Sequence, residues 1–463
     1  MKINEQTEWH SIEKLNIEDK DIISIDGCIT EILNRIELFK IKTFYIIDDK
    51  EKLIGIITEG DIRRSLIKGN SNNDEISKFV NFHPKFYNQK EIAKLKIPKI
   101  INSTKRLPVI NEEERLIGFF PKNLEKNGIP QNASALAIAP VRISFAGGGS
   151  DLNYWFDDHK GCVVNAAIQK YSRVRINRNY SNKVNITSLN TNDKVSIEVS
   201  NLEFYANQTL ILIVKCLTTF GVKDGLDVEI FCDFEPGTGL GGSSSLVIAT
   251  LKALSKIYSY QLATRELVEL SYYIEREIVG ISGGWQDQII SAFGGLCITN
   301  FENATYETFK ISLSPKNMGF MNSQLFMSPV GETRKSSGIH EMQRKESKEI
   351  GYEQKMASIV SLANECAQLL GQGKIEDLGS ILEKGWNFKR SLGDFISNKN
   401  IDQRYEFLKN SGAEGGRLLG AGMSGYLLVL VRAEKQLSFL KACNDKDVPI
   451  ERVYLDLDGA RII

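Results

Sequence analysis

The segment Glu235-Pro-Gly-Thr-Gly-Leu-Gly-Gly-Ser-Ser-Ser245 constrains the fold more than any other stretch of this chain. Ahead of it, Leu226, Val228, Ile230 and Cys232 alternate with Asp227, Glu229, Phe231 and Asp233, the period of a half-buried strand. Behind it, Val247, Leu251, Leu254 and Tyr258 recur at helical spacing. The glycines therefore lie on a strand-to-helix turn, with Ser243 near the helix N-cap. Glycines let backbone approach a ligand closely, and free N–H groups at a helix start attract anions. Pro236, Gly237, Thr238, Gly239, Leu240, Gly241, Gly242, Ser243 and Ser244 thus read as a phosphate cradle.

Two other phosphate loops are excluded. A Walker A loop carries Lys-Ser/Thr after its last glycine, whereas Gly242 is followed by Ser243 with no lysine. The Gly237 to Gly242 spacing also fails the dinucleotide fingerprint. A formal G-x-G-x-x-G does occur at Gly420, Gly422 and Gly425, but Tyr426-Leu-Leu-Val-Leu-Val431 follows it and reads as a strand. A dinucleotide site needs a helix there. One glycine cluster alone is more often a tight turn, so the reading depends on the rest of the chain.

Lys plus Arg number 58, and so do Asp plus Glu. With no net charge, nothing points to nucleic acid or to a membrane surface as a partner. No apolar run approaches the roughly 18 residues of a membrane span, and Met1-Lys-Ile-Asn-Glu-Gln-Thr-Glu8 lacks a signal-peptide core. The seven cysteines form no C-x-x-C pair and read as reduced thiols of a cytoplasmic protein. His10, His83, His159 and His340 lie too far apart in sequence to suggest a histidine-rich metal centre.

At 463 residues the chain has room for two or three domains. Residues 1–125 carry an internal repeat. Thr43-Phe-Tyr-Ile-Ile47 and Lys52-Leu-Ile-Gly-Ile-Ile-Thr58 read as a hairpin across Asp48-Asp49-Lys50-Glu51, with a helix opening at Asp61. Arg106-Leu-Pro-Val-Ile110 and Leu116-Ile-Gly-Phe-Phe120 repeat it across Asn111 to Arg115. Residues 126–135 read as a linker and 136–463 as the main domain. There strands and helices alternate irregularly, which predicts an α+β fold, with helices over Thr264 to Glu277 and Ser347 to Leu370.

From about Ala139 onward the chain resembles the galactokinase–homoserine kinase–mevalonate kinase–phosphomevalonate kinase (GHMP) superfamily. Four motifs in order carry the resemblance: Ala139-Pro-Val-Arg-Ile-Ser-Phe-Ala-Gly-Gly-Gly-Ser-Asp151, the phosphate loop, Glu275-Arg276 with Gly283-Gly-Trp-Gln-Asp-Gln288, and Gly420-Ala-Gly-Met-Ser-Gly425. It implies a ribosomal-S5-like N-terminal half and a ferredoxin-like C-terminal half, with the active site between them. It also implies ATP and Mg2+, with Ser243 and Glu275 on the metal and Asp287 as base or acceptor-orienting carboxylate. Arg142 stands where several members carry lysine, and Gly242 where the family usually has Ser or Thr. A fixed cation beside Asp287 would lower its pKa and stabilise developing charge. Gly148, Gly149, Ser150, Asp151, Gly283, Gly284, Arg334, Arg417 and Gly422 fall on the substrate side, Asp151 against sugar hydroxyls.

Within the superfamily the likeness is greatest to D-glycero-D-manno-heptose 7-phosphate kinases, through Phe145 to Asp151, Gly280 to Gln288, Phe293-Gly-Gly295, Thr333-Arg-Lys-Ser-Ser337 and Gly415 to Gly420. Trp285 departs, since those kinases often have lysine there. A phosphorylated acceptor needs cations at its distal end, and Arg334, Lys335, Lys389, Arg390 and Arg417 are the candidates. The readings are therefore a kinase of a sugar anomeric hydroxyl, with heptose 7-phosphate preferred; a fucokinase-like or other hexose 1-kinase; and a catalytically silent nucleotide sensor. The repeat in 1–125 resembles a pair of cystathionine-β-synthase (CBS) motifs. That implies an adenine nucleotide held at Thr58 and Asp61 of the first copy, or a dimerisation module. The second copy has Phe120-Pro-Lys-Asn123 in place of the polar pair. A homodimer is expected.

Overall fold

The computed structural model describes residues 13–14, 21–39, 43–71, 74–84, 86–88, 107–120, 132–207, 210–260, 262–302, 305–331, 337–347 and 349–463. The chain divides into two compact units, one within 5–126 and one within 127–463. Most of the expected linker, with Arg106 and the Pro-Lys-Asn of the second repeat copy, lies outside the described residues.

In the first unit the repeat is explicit. Strands Thr43–Ile47 and Leu53–Thr58 pair antiparallel, as do Leu107–Ile110 and Leu116–Phe120, and the register shifts at corresponding positions, Ile46/Ile47 and Val109/Ile110. Each turn is closed by one side chain. Asp48 Oδ1 accepts from the amides of Lys50 and Lys52, and Asn111 Oδ1 from those of Glu113 and Arg115. The two turns clasp each other reciprocally, Leu53 N to Glu114 O and Leu116 N to Glu51 O. Ile23, Ile29, Ile32, Phe44, Ile46, Ile57 and Ile62 form the core of the first copy.

The helix of that copy spans Glu59–Ile67 and opens two residues earlier than the sequence suggests. Thr58 and Asp61 form its capping box. The Thr58 hydroxyl donates to Asp61 Oδ2 at 2.6 Å and accepts from the Asp61 amide, and Thr58 N also donates to Oδ2. Arg64 holds Asp61 Oδ1 at 2.5 Å. Both residues assigned to a nucleotide thus already have a structural task.

The second unit is α+β, as expected. Its spine is the 18-residue strand Gly161–Arg178, to which residues 134–146 pair along most of their length. The N-terminal half of the spine also pairs with Leu296–Glu302, the C-terminal half with Leu226–Cys232. Lys183–Ser188 and Lys194–Glu198 extend the sheet on one side and Thr305–Lys310 on the other. A second, antiparallel sheet runs Gly415–Leu418, Gly425–Leu430, Leu325–Val330, Glu451–Arg452. Helices Tyr352–Gly371, Leu378–Arg390 and Lys399–Asn410 accompany it. One core joins the two sheets, with Val141, Ile143 and Phe145 of the first sharing a cluster with Leu362, Ile381, Leu382, Leu419 and Leu428.

Two sequence assignments shift. The helix expected over Thr264 to Glu277 is α-helical to Tyr272 and then π-helical over Tyr273–Ile278. The helix expected from Ser347 begins at Tyr352. Gly425–Leu430 is a strand, which confirms that the Gly420 motif opens no helix. No helix among the described residues is long and apolar enough to cross a membrane.

Loss of an N-cap side chain typically costs about 1 kcal/mol. Thr58→Ala should accordingly accelerate amide exchange in the first turn of Glu59–Ile67 by roughly fivefold. Unchanged exchange there would mean that Asp61 alone holds the turn.

Candidate active site

The Leu226–Cys232 strand delivers the chain into the glycine turn, and Gly242–Ile257 is the helix that follows it. Gly237, Gly239 and Gly241 have φ of 75°, 71° and 80°, a left-handed conformation that residues with a β-carbon avoid. Alternating such residues is the backbone pattern of anion-binding concavities, in which successive amides turn toward one side. Thr238 braces the turn by donating to Glu235 O at 2.9 Å. Gly242 has a steric cause, because a β-carbon there would lie 2.4 Å from Phe234 Cε2. The buried phenyl ring occupies the space that a serine or threonine would need.

Arg142 lies between two bulges of the Ser134–Ala146 strand, at Pro140/Val141 and Ser144/Ala146. Bulges re-aim side chains, and here the side chain points at the turn. Arg142 N donates to Leu240 O at 3.0 Å, and the guanidinium Nη1 donates to Gly239 O at 2.6 Å. Nε and Nη2 both reach Asp287 Oδ1, at 2.7 and 2.6 Å. Arg142 is only 4% exposed. Asp287 sits in the first turn of the Gln286–Phe293 helix, where a carboxylate suits the helix dipole. A β-carbon on Gly241 would lie 3.0 Å from Asp287 Cγ, so turn and carboxylate are packed together. Among the described residues nothing donates to Asp287 Oδ2, and its side chain keeps 21% exposure.

Glu275, on the π-helical turn, is fully buried. Its Oε2 accepts from Ser244 at 2.7 Å and from Gln288 Nε2 at 2.6 Å. Its Oε1 has no hydrogen-bond partner, and Arg276 Nη1 stands 3.7 Å away. The serine that touches Glu275 is therefore Ser244, while Ser243, half-buried at the preceding position, makes no hydrogen bond to it. An unpartnered buried carboxylate oxygen suits a hard cation such as Mg2+, which takes few protein oxygens and keeps water or phosphate for the rest. Among the described residues no three His, Cys, Asp or Glu side chains converge on a fuller cage.

On the other side of Asp287 lies Asp151, 1% exposed. Its Oδ1 accepts from Gly149 N and Gln286 Nε2, and its Oδ2 from Gln286 N at 3.1 Å. Burial pushes the Asp151 carboxyl above the ordinary range, and the charge of Asp287 adds to this against the stabilising Gln286 amide. Gly284 is dictated by this contact, since a β-carbon there would lie 2.0 Å from Asp151 Oδ2. Gly283 likewise leaves room for the guanidinium of Arg276. Trp285 stacks on Tyr272 with ring centroids 3.6 Å apart, and both donate to Asn153 Oδ1 at 2.9 Å.

Gly148, Gly149 and Arg417 join this neighbourhood, whereas Ser150 and Gly422 do not face it. Ser150 is fully buried, donates to Gly147 O and Cys162 O, and accepts from Cys162 N; it ties the glycine turn to the spine strand. A β-carbon on Gly422 would meet Ile396 backbone at 2.9 Å, so this glycine packs the C-terminal loop. Arg417 is 3% exposed and donates through Nη1 to Phe145 O. Burial and the nearby Arg142 bring its pKa down to about 10. Lys389, 8% exposed, donates to Gly420 O. Arg390 instead faces Asp402 at 3.5 Å and lies over Trp386. Arg334 and Lys335 lie outside the described residues.

Sequence reasoning gave no role to Gln286, Gln288 or Ser144. The first two flank Asp287 within a motif already singled out, and their alternation on a helix's first turn was the available signal. Overpacking a buried contact typically costs about 1–3 kcal/mol. Gly242→Ala should thus lower the melting temperature and weaken ATP binding, and adding Phe234→Leu should recover much of both. An unaltered melting temperature for the single variant would show that the turn has room to spare.

Comparison with known proteins accords with this geometry. Residues 207–295 match the GHMP kinases N terminal domain, and residues 29–68 the CBS domain. The D-glycero-alpha-D-manno-heptose 7-phosphate kinase of Campylobacter jejuni is 29% identical over 336 residues, which cover 70% of this chain and 96% of that protein. The bifunctional fucokinase/GDP-fucose pyrophosphorylase of Arabidopsis thaliana is 26% identical over 64% of this chain, but over only 30% of its own length. A crystal structure of a D-glycero-D-manno-heptose 1-phosphate kinase from Bacteriodes thetaiotaomicron superposes with a TM-score of 0.60 at 22% identity, covering 71% of this chain and 98% of that one. The larger unit of this chain therefore has the GHMP kinase fold, with a GHMP kinase N-terminal domain at 207–295, and a CBS domain stands ahead of it at 29–68.

Proposed function

We propose that the chain is an ATP- and Mg2+-dependent kinase that phosphorylates the anomeric hydroxyl of a sugar. The preferred acceptor is D-glycero-D-manno-heptose 7-phosphate, which would give the 1,7-bisphosphate for nucleotide-activated sugar synthesis. The observation that carries the reading is the Arg142 clamp. Both contacts to Asp287 fall on Oδ1, which leaves Oδ2 for an acceptor hydroxyl, and the same guanidinium holds the phosphate turn through Gly239 O. The heptose assignment draws on the Campylobacter jejuni relative.

Phosphoryl transfer asks the protein for positioning and charge stabilisation more than for covalent chemistry. The amides of Gly237 to Gly242 would hold the nucleotide phosphates. Mg2+, when bound, neutralises phosphate charge, and Glu275 with Ser243 would supply its protein ligands. Asp287 Oδ2 accepts the acceptor proton as the hydroxyl oxygen bonds to the γ-phosphorus, while the bond from that phosphorus to the β-bridging oxygen breaks and ADP leaves. Arg142 keeps Asp287 aligned for this step. Asp151, rigidly held by Gln286 and Gly149, would order the sugar hydroxyls.

The CBS unit is read as a regulatory site for one adenine nucleotide near Thr58 and Asp61. A nucleotide there would share Asp61 with Arg64 and Thr58. Titrating AMP, ADP and ATP against the full chain and its Asp61→Ala variant, with kinase turnover as readout, tests this. Identical responses would leave the unit a scaffolding role.

Turnover is tested by ADP release with a panel of free and phosphorylated sugars. Asp287→Asn should keep ATP affinity and lower turnover by about 10² or more, the usual scale of a general base; near-normal turnover would remove Asp287 from the reaction. Glu275→Gln should raise the Mg2+ concentration needed for half-maximal rate, because a carboxylate ligand becomes a neutral amide. A superimposable magnesium titration would make Glu275 a purely structural residue.

A further inference from the structure

We infer that Lys389 and Arg417, with Ser144 of the Ser134–Ala146 strand, form the subsite for a phosphate group that the acceptor itself carries. The inference rests on the sugar-kinase reading and deepens it, by assigning recognition of a second anion to named residues.

Three observations converge. Lys389 and Arg417 are both more than nine-tenths buried, yet among the described residues neither faces a carboxylate in an ion pair. Each instead donates to one backbone carbonyl, Gly420 O and Phe145 O. A buried cation without a counter-ion is unfavourable, and an incoming dianion would satisfy two at once. The second observation is the supply of unused polar atoms. Arg417 Nε and Ser144 Oγ are buried and have no hydrogen-bond partner.

The third observation is where they point. A β-carbon built on Gly148 would lie 3.7 Å from Ser144 Oγ, 3.8 Å from Arg417 Nη2 and 3.9 Å from Gln286 Nε2. Donors from two strands and a helix thus surround one point where the chain carries no side chain. The cavity that Gly147, Gly148 and Gly385 line with Ile359, Leu362, Lys389 and Arg417 measures about 10 Å³, room for one water. A phosphate therefore belongs on the open side of half-buried Gly148 and not inside it. The phosphate is expected at Gly148, within reach of Ser144 Oγ and Arg417 Nη2, with Lys389 lining the adjoining cavity. Neighbouring Asp151 is already engaged by Gln286 and Gly149 and is left to the sugar hydroxyls. Guanidinium and ammonium groups are the usual partners of phosphate oxygens.

The site also has an electrostatic signature. Burial, with Arg417 and Arg142 nearby, holds Lys389 well below the ordinary lysine range, and Asp151 opposes this. Cys366 stands behind Arg417, and its thiol is pushed up by burial. A bound dianion favours protonated Lys389. Affinity for a phosphorylated acceptor is then full below the free-site Lys389 pKa and falls as pH rises through it.

The test compares D-glycero-D-manno-heptose 7-phosphate with the unphosphorylated heptose. A hydrogen bond to a charged group is worth about 1.5–3 kcal/mol, so Lys389→Met should reduce the ratio of the two kcat/KM values by roughly tenfold to a hundredfold. It should also flatten the pH dependence of KM for the phosphorylated acceptor. Ser144→Ala, which removes no charge, should reduce the same ratio more modestly and guards against a misfolded Lys389 variant; retained ATP affinity checks folding. An equal fall for both acceptors in both variants would overturn the assignment and make the cations general rate-enhancing groups. Calorimetric titration with inorganic phosphate of the full chain saturated with ADP and Mg2+, which fill the glycine turn, needs no turnover, so it separates this assignment from the kinase reading. Weak binding with proton uptake that Lys389→Met abolishes is expected. Phosphate binding indifferent to Lys389 and Ser144 would refute it.

Discussion

One guanidinium organises this site. Arg142 is buried, holds Asp287 through a single oxygen, and holds the glycine turn through the Gly239 carbonyl. Taking a cation out of water is costly unless it is well paired, and here the cost is offset by a carboxylate and a carbonyl acting together. The turn cannot move relative to Asp287 without leaving that charge unsatisfied. Strand bulges on either side of Arg142 aim it, and the left-handed glycines let the turn reach it.

Close backbone approach does the rest. Gly239 and Gly420 pack so tightly that a β-carbon on Gly420 would lie 2.7 Å from the Gly239 α-carbon, and one on Gly425 would lie 3.0 Å from Thr238 O. The C-terminal glycine loop thus backs the Gly237 to Gly242 turn. Lys389 ties it to the Leu378–Arg390 helix by donating to Gly420 O. Two distant glycine motifs are parts of one object, joined by the core that runs between the two sheets.

Much of this was legible in the sequence, because its signals are local. The strand, the glycine turn and the helix after it follow from two periodicities meeting at a cluster of glycines. The hairpin repeat of the first unit follows from apolar runs around polar turns, while the matching roles of Asp48 and Asn111 emerge only from the folded turns. What escaped needed three-dimensional phase. Which serine of Ser243-Ser244 faces Glu275 depends on how Gly241 rotates the first helical turn, and on a π-helical insertion that a 3.6-residue period does not reveal. Ser150 looks like a ligand residue but satisfies backbone groups of the spine strand. Thr58 and Asp61 fit both a nucleotide signature and a capping box, and in the structure they form the box. Gly242 stands where the GHMP pattern has Ser or Thr, and a side chain there would meet Phe234, a contact that exists only once the turn has folded back.

The most direct test of the account is a crystal structure of the full chain with Mg2+, a non-hydrolysable ATP analogue and the acceptor sugar. The account predicts the anomeric hydroxyl within about 3 Å of Asp287 Oδ2, roughly in line with the γ-phosphorus, with the triphosphate on the Gly237 to Gly242 amides. An acceptor whose hydroxyl lies away from Asp287, or a triphosphate bound elsewhere than the glycine turn, would contradict it.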